Sequence, residues 1–253
     1  MMARVAGILC MMMVLSFSGR AQVQDSVTQS SKKWHQTKFV KTAGVPIVLT
    51  GLGLVAANER TPINRFKVRD GITGEFPNFS STVDDYLRYV PPASVYALDL
   101  LGVKSKNSFK HRTLIFLKAN IIGFSVAFPL KGITQVRRPD NSSSASFPSL
   151  HTTQAFIGAT FMHKELGHRS IWYSVGAYTI ATATGFYRIL NNKHWLSDVM
   201  VGAALGILST NVAYLTHQFK EPRKKRKSNN VSALFSPILG NNTYGASMTL
   251  LLN

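Results

Sequence analysis

Six apolar segments recur along the chain, at Ala43 to Ala57, Val90 to Val103, Thr113 to Leu130, Thr152 to Met162, Ile171 to Tyr187 and Val199 to Thr216. Polar or basic links separate them, and the pattern predicts an all-α fold, a six-helix bundle. Most of the segments fall short of the ~20 residues that a membrane span prefers, and Lys118 interrupts the third. Two readings stand: tilted spans with polar functional faces, or the buried helices of a soluble bundle. The transmembrane reading is the favoured one. Before the first segment, Arg4, the apolar run Val5 to Phe17 and then Ser18, Gly19, Arg20 and Ala21 have the three-part form of a secretory signal. Residues 1–21 are therefore a cleaved signal or a retained anchor, and 22–42 a polar, basic lead-in. The helical domain runs from 43 to 219. Within it, residues 58 to 89, with Pro62, Gly71, Gly74 and Pro77, read as a long connector. Residues 220–253 are a basic linker and a tail that alternates weakly around Gly240, Asn241 and Asn242, which predicts a short β-hairpin.

Charge sharpens the picture. Only 16% of residues are charged, yet the net charge is +18, so the cations sit at the edges of apolar runs. That distribution suits a bilayer with anionic headgroups and argues against nucleic acid, whose binders line one face with basic and aromatic residues. Lys104, Lys106, Lys110, His111 and Arg112 fill one link, His163, Lys164, His168 and Arg169 another, and Lys220 with Arg223 to Lys227 follow the last segment. The positive-inside rule makes these cytoplasmic and puts the links 58 to 89, 131 to 151 and 188 to 198 outside. The expected location is the bacterial inner membrane, multi-pass, with the last two links facing the periplasm. A cleaved signal conflicts with this, because it would leave the mature N-terminus outside. Either the first run stays as an anchor or the bundle is periplasmic. Cys10 is the only cysteine, and the 11 acids show no cluster of ligand spacing, so neither a metal nor another cofactor is expected.

Three stretches carry candidate chemistry. Arg188, His194 and Asp198 combine a guanidinium, an imidazole and a carboxylate where a polar segment enters an apolar helix. If that helix has begun by His194, Asp198 lies one turn on along the same face and fixes the tautomer, leaving the other ring nitrogen unprotonated to attack phosphorus. Lys131 and Arg138-Pro139 put two cations near the end of the third segment, suited to an anionic phosphate. Pro148, Ser149, Leu150 and His151 form a helix start whose N–H groups and Ser149 hydroxyl would face an anion, with His151 in the first turn to protonate a leaving oxygen. Each stretch alone also fits a plain helix end.

Together, in order and in internal spacing, these residues resemble the three signature motifs of the type 2 phosphatidic acid phosphatase (PAP2) superfamily. The resemblance runs from about Asp85 to Thr216. Leu150 stands where glycine is usual, and Tyr187 precedes Arg188 where serine is usual. The resemblance implies a nucleophilic His194 held by Asp198, a phosphohistidine, and His151 as acid and then base. It also implies phosphate binding by Lys131, Arg138, Arg188, Ser149 and the Leu150 backbone. The expected function is a metal-independent phosphatase acting on a lipid-linked phosphate or diphosphate. Undecaprenyl diphosphate is the first candidate, with phosphatidylglycerol phosphate and the lipid A phosphates behind it. Alternatives are a phosphotransferase, a nonspecific periplasmic acid phosphatase, a vanadate-dependent haloperoxidase and a non-catalytic lipid-phosphate binder. Oligomeric state is not legible.

Overall fold

A computed structural model describes residues 37–219, 231–240 and 243–252. The signal or anchor at 1–21, most of the lead-in and the basic run at 220–227 lie outside the described residues. Residues 37–217 form one unit, with eight helices among the described residues. They are α1 (Lys38–Ala57), α2 (Arg65–Glu75), α3 (Val83–Leu87), α4 (Val90–Leu100), α5 (Phe109–Thr134), α6 (Leu150–Leu166), α7 (Ile171–Leu190) and α8 (Leu196–Leu215). The six expected helices are α1 and α4 to α8. The segment read as a connector instead holds α2 and α3. In the second unit β1 (Val231–Gly240) and β2 (Thr243–Leu252) pair antiparallel, with Val231 opposite Leu252. The link through 241 and 242 lies outside the described residues.

Local chemistry sets the helix starts. Asn64 caps α2 by accepting from the N–H groups of Phe66 and Lys67, Ser149 caps α6 through Thr152, and Ser170 caps α7 through Trp172. Helix α5 begins four residues before the expected Thr113, because Lys110, His111 and Arg112 form its first turn and not a loop. Arg112 is buried there against Asp99 at 2.7 Å, with its guanidinium over the Tyr96 ring. It is an internal ion pair and not a free topology signal. Lys118 does not break the helix, since its ammonium reaches the Thr216 carbonyl at 3.0 Å and so leaves the apolar zone at the end of α8.

Helices α6 and α8 form the centre. Helix α8 packs against α1, α5 and α6, while α6 also takes α4, α5 and α7. Among the described residues three helices, α1, α5 and α8, are long and apolar enough to cross a membrane. Only 22% of α1 and 28% of α5 is buried within the protein, against 67% of α8. The outer two therefore turn Val45, Val48, Leu52, Leu117, Ile121 and Phe128 to the surroundings, as expected of helices whose solvent is lipid.

The α6–α8 contact depends on missing side chains. A Cβ at Gly202 would lie 2.7 Å from the Ser149 carbonyl oxygen, and one at Gly206 would lie 2.6 Å from that of Thr153. Both obstacles are backbone, so the helices would have to separate. Gly206→Val is expected to destabilise the protein by about 1–3 kcal/mol, as overpacking does. Gly176→Ala, in open space, should be neutral or slightly stabilising. Thermal unfolding of both variants in detergent checks this, and an unchanged midpoint for Gly206→Val would refute the close-approach account.

Candidate active site

The ends of α5 and α7, the starts of α6 and α8 and the loop between α5 and α6 meet at one end of the bundle. All three motifs lie there. The chain around His194 differs from the expected helical start: α8 begins at Leu196 with Trp195 as its cap, so His194 precedes the helix. Asp198 occupies the third helical position and accepts the Trp195 N–H at 3.0 Å. The same carboxylate oxygen lies 3.5 Å from His194 Nδ1, a contact longer than a good hydrogen bond. Ser146 sits between them, donating its hydroxyl to Asp198 Oδ2 at 2.5 Å with its oxygen 3.4 Å from Nδ1. Sequence reasoning missed Ser146, which falls in a serine-rich loop with no spacing to mark it.

His194 is 3% exposed and Asp198 fully buried. Burial pushes the His194 imidazole down to about 4, and the Arg188 and Lys131 cations add to that effect while Asp198 opposes it. The ring is therefore neutral at physiological pH. The α7 end is held to it by backbone, the Arg188 carbonyl accepting the N–H groups of Lys193 and His194. Asn192 turns the chain there with φ 53°, a left-handed conformation that asparagine tolerates.

The cations are anchored from outside the motifs. Arg188 donates from Nη1 to Asp84 Oδ2 at 2.7 Å, with side-chain exposures of 10% and 1%, while its Nε is buried without a partner. Asn191 Nδ2 donates to the other Asp84 oxygen at 3.0 Å and to the Ser81 carbonyl. The neighbouring Asp85 lies 2.7 Å from His151 Nε2, and this hydrogen bond holds the Asp85 carboxyl below its usual range. Asp84 and Asp85 both sit on α3, inside the stretch taken for a connector. No sequence signal beyond two adjacent acids marked them. Lys131 donates to the carbonyls of Ala145 and Ser146 at 2.6 and 3.2 Å, fixing the loop that carries Ser146. Arg138 has a buried Nε without a hydrogen-bond partner. Lys193 pairs with Asp140 at 2.6 Å, tying the loop after α5 to the loop before α8.

The expected role of the Ser149 N–H is corrected: it donates to the Asp198 carbonyl at 3.1 Å and does not face an anion. The Ser149 hydroxyl is fully buried and accepts from Thr152 Oγ1 at 3.0 Å. The free donors of this helix start are the N–H groups of Leu150 and His151, the first two residues of α6. Tyr187 turns its ring against Phe79, 5.8 Å between centroids.

One oxygen of Asp84, one of Asp85 and a ring nitrogen of His151 lie within 4.8 Å of one another, a spacing that would admit a cation. Each is engaged already, Asp84 by Arg188 and Asp85 by His151. A metal there would have to displace a buried guanidinium. A cavity of about 580 Å³ adjoins the site, walled by Leu54, Phe66, Phe147 and Trp195 and reaching Arg138 and Asp198. Arg65 lies at its side, its guanidinium 4.8 and 5.2 Å from the ring centroids of Phe66 and Trp195.

The chain is similar to several known proteins. A lipid A 1-phosphatase of Porphyromonas gingivalis is 36% identical over 172 residues, 64% of this chain and 37% of that protein. The chain thus spans little more than a third of that relative's length. Two solved structures are also similar. LpxE of Aquifex aeolicus has a TM-score of 0.45 and 21% identity, over 60% of this chain and 94% of that one. The transmembrane PAP2-type phosphatidylglycerolphosphate phosphatase of Bacillus subtilis has a TM-score of 0.49 and 22% identity, over 69% and 98%. Residues 112–222, which hold all three motifs, match the model of the PAP2 superfamily. Over those residues the chain is similar to the PAP2 superfamily.

Proposed function

We propose that the protein is a metal-independent phosphatase that removes a phosphate from a membrane lipid. The observation that carries this is a buried, neutral His194 set against Asp198 and Ser146 within the field of Arg188 and Lys131. A neutral imidazole in a cluster of cations is a nucleophile for an anionic centre, because the cations draw in the phosphate and cannot themselves form the covalent bond. His194 Nε2 attacks phosphorus while the ester bond to the leaving oxygen breaks, and His151 supplies that oxygen with a proton. His151 then takes a proton from water, which displaces the phosphoryl group from His194 and releases inorganic phosphate. Lys131, Arg138, Arg188 and the N–H groups of Leu150 and His151 stabilise the equatorial oxygens. Ser149 supports that helix start through Thr152.

The apolar cavity beside Arg138 suits a phosphate joined to a hydrophobic body, and the outward apolar faces of α1 and α5 suit a site reached from a bilayer. The catalytic end is opposite the basic links at the start of α5 and the α6–α7 turn, which favours a periplasmic site by the positive-inside rule. The similarity to a lipid A 1-phosphatase supports a lipid A 1-phosphate as the first substrate to consider. Undecaprenyl diphosphate is the second reading, favoured by the number of cations gathered for one phosphate group.

Detergent-purified protein offered a lipid A 1-phosphate, undecaprenyl diphosphate, phosphatidylglycerol phosphate and a soluble aryl phosphate should release phosphate fastest from one of the lipids. Equal rates on the aryl ester would sink the lipid reading. Turnover should persist in EDTA, and its loss, restored by a divalent cation, would show that the Asp84, Asp85 and His151 cluster holds a metal. His194→Ala should lower kcat at least a thousandfold with the fold retained. Activity near that of the parent would remove the proposed nucleophile.

The pH profile tests the pairing of His151. Since His194 is protonated only near pH 4, the acid limb of kcat/KM should lie close to that value and not near 6.5. The basic limb reports loss of the His151 proton. Asp85→Asn removes the carboxylate that favours the charged ring, so this limb should move to lower pH. A basic limb that does not move would mean that Asp85 has no hold on the acid.

A further inference from the structure

At the end of α6 away from the motifs, a cavity of about 450 Å³ opens between α1, α6, α7 and α8. Its polar wall carries Lys41, Lys164 and Asn211. Among the described residues neither ammonium has an ion pair or a hydrogen bond, and no residue lining the cavity is acidic. Asn211 is 6% exposed. It donates from Nδ2 to the Thr42 carbonyl at 2.9 Å, while its Oδ1 is buried without a donor. Asn211 is four residues from the end of α8 and Lys41 is in the first turn of α1, so both charges and the amide share one level near the helix ends. The walls further in are apolar, among them Val45, Leu49, Phe156 and Ile207. At His163, Tyr178 and Thr182 the cavity meets an open groove along α7, whose lining includes Ile171, Val175 and Phe186.

We propose that this cavity binds an anionic phospholipid with a hydroxyl-bearing headgroup, from the leaflet opposite the catalytic end. Two uncompensated ammonium groups call for an anion, and a buried amide oxygen calls for a donor. A phosphodiester with a glycerol headgroup provides both, its phosphate accepting from Lys41 and Lys164 and a hydroxyl donating to Asn211. Its acyl chain lies along the groove on α7, whose apolar walls face lipid in a spanning bundle. Only the membrane-spanning reading of the helices is needed. The phosphatase chemistry is not.

The test is native mass spectrometry of the full chain in detergent, titrated with phosphatidylglycerol, phosphatidylmethanol and phosphatidylcholine. One phosphatidylglycerol per chain should be retained, more tightly than phosphatidylmethanol and far more tightly than phosphatidylcholine. Lys41→Ala with Lys164→Ala should weaken it about thirtyfold, from roughly fivefold for each lysine near a headgroup. Asn211→Leu should abolish the preference over phosphatidylmethanol. Thr182→Trp, which fills the junction without touching a charge, should weaken all retention, and unfolding midpoints like the parent's show that the variants are folded. His194→Ala should bind as the parent does, which separates this site from the catalytic one. Equal retention of phosphatidylcholine, or unchanged affinity in the lysine double variant, overturns the proposal. Intact phosphatase turnover alongside either result would leave the proposed function standing and remove this site alone.

Discussion

The hydrogen bond from the Ser149 N–H to the Asp198 carbonyl, 3.1 Å across the α6–α8 contact, is the join on which the site depends. It fixes the start of one helix to the start of the other, and therefore the free N–H groups of Leu150 and His151 to the imidazole of His194. The join exists only because Gly202 lets α8 approach the Ser149 carbonyl to a distance that no Cβ would allow. Packing of the two central helices thus sets the geometry of the chemistry. A change of a few tenths of an ångström at Gly202 would be felt at His194 before it was felt anywhere on the surface.

A second constraint comes from α3. This helix has only five residues and little core of its own, and it places two adjacent carboxylates on two different working groups. Asp84, 1% exposed, is bonded to Arg188 and Asn191, and Asp85 to His151. A buried guanidinium without its carboxylate would be strongly destabilising, about 3–5 kcal/mol for pairs of this kind. The segment before α4 is thereby bound to the end of α7. It is part of the site's frame.

The three motifs were legible because each is local: a few chemically specific residues at short spacing beside an apolar run. Six of the eight helices were legible for the same reason. What was missed is non-local. Asp84 and Arg188 are 104 residues apart, and Asp85 and His151 are 66 apart, so nothing short of the fold brings them together. Ser146 is one serine among several in its loop, and only the position of Asp198 singles it out. The start of α5 was misplaced because its first turn is basic, and a basic turn reads as a link unless the Asp99 partner of the buried Arg112 is known. Lys118 was taken as an interruption because sequence shows its charge but not its reach to Thr216.

The way each cation is held bears on how the proposed reaction would work. Lys131 donates to two carbonyls, Arg188 to Asp84 and Lys193 to Asp140. Each keeps further donor capacity, and Arg188 and Arg138 have a buried Nε still unbonded. Side chains fixed in this way would need little reorganisation around an anion, so in the proposed reaction their electrostatic effect would be available as charge develops on the phosphorus oxygens. Burial holds the His194 imidazole low, and Arg188 and Lys131 add to that effect because a proton on the ring would sit among like charges. In the proposed reaction, the cations that would draw in the phosphate would thus also help to keep the lone pair of His194 free, and would take the part that metal ions play in other phosphatases.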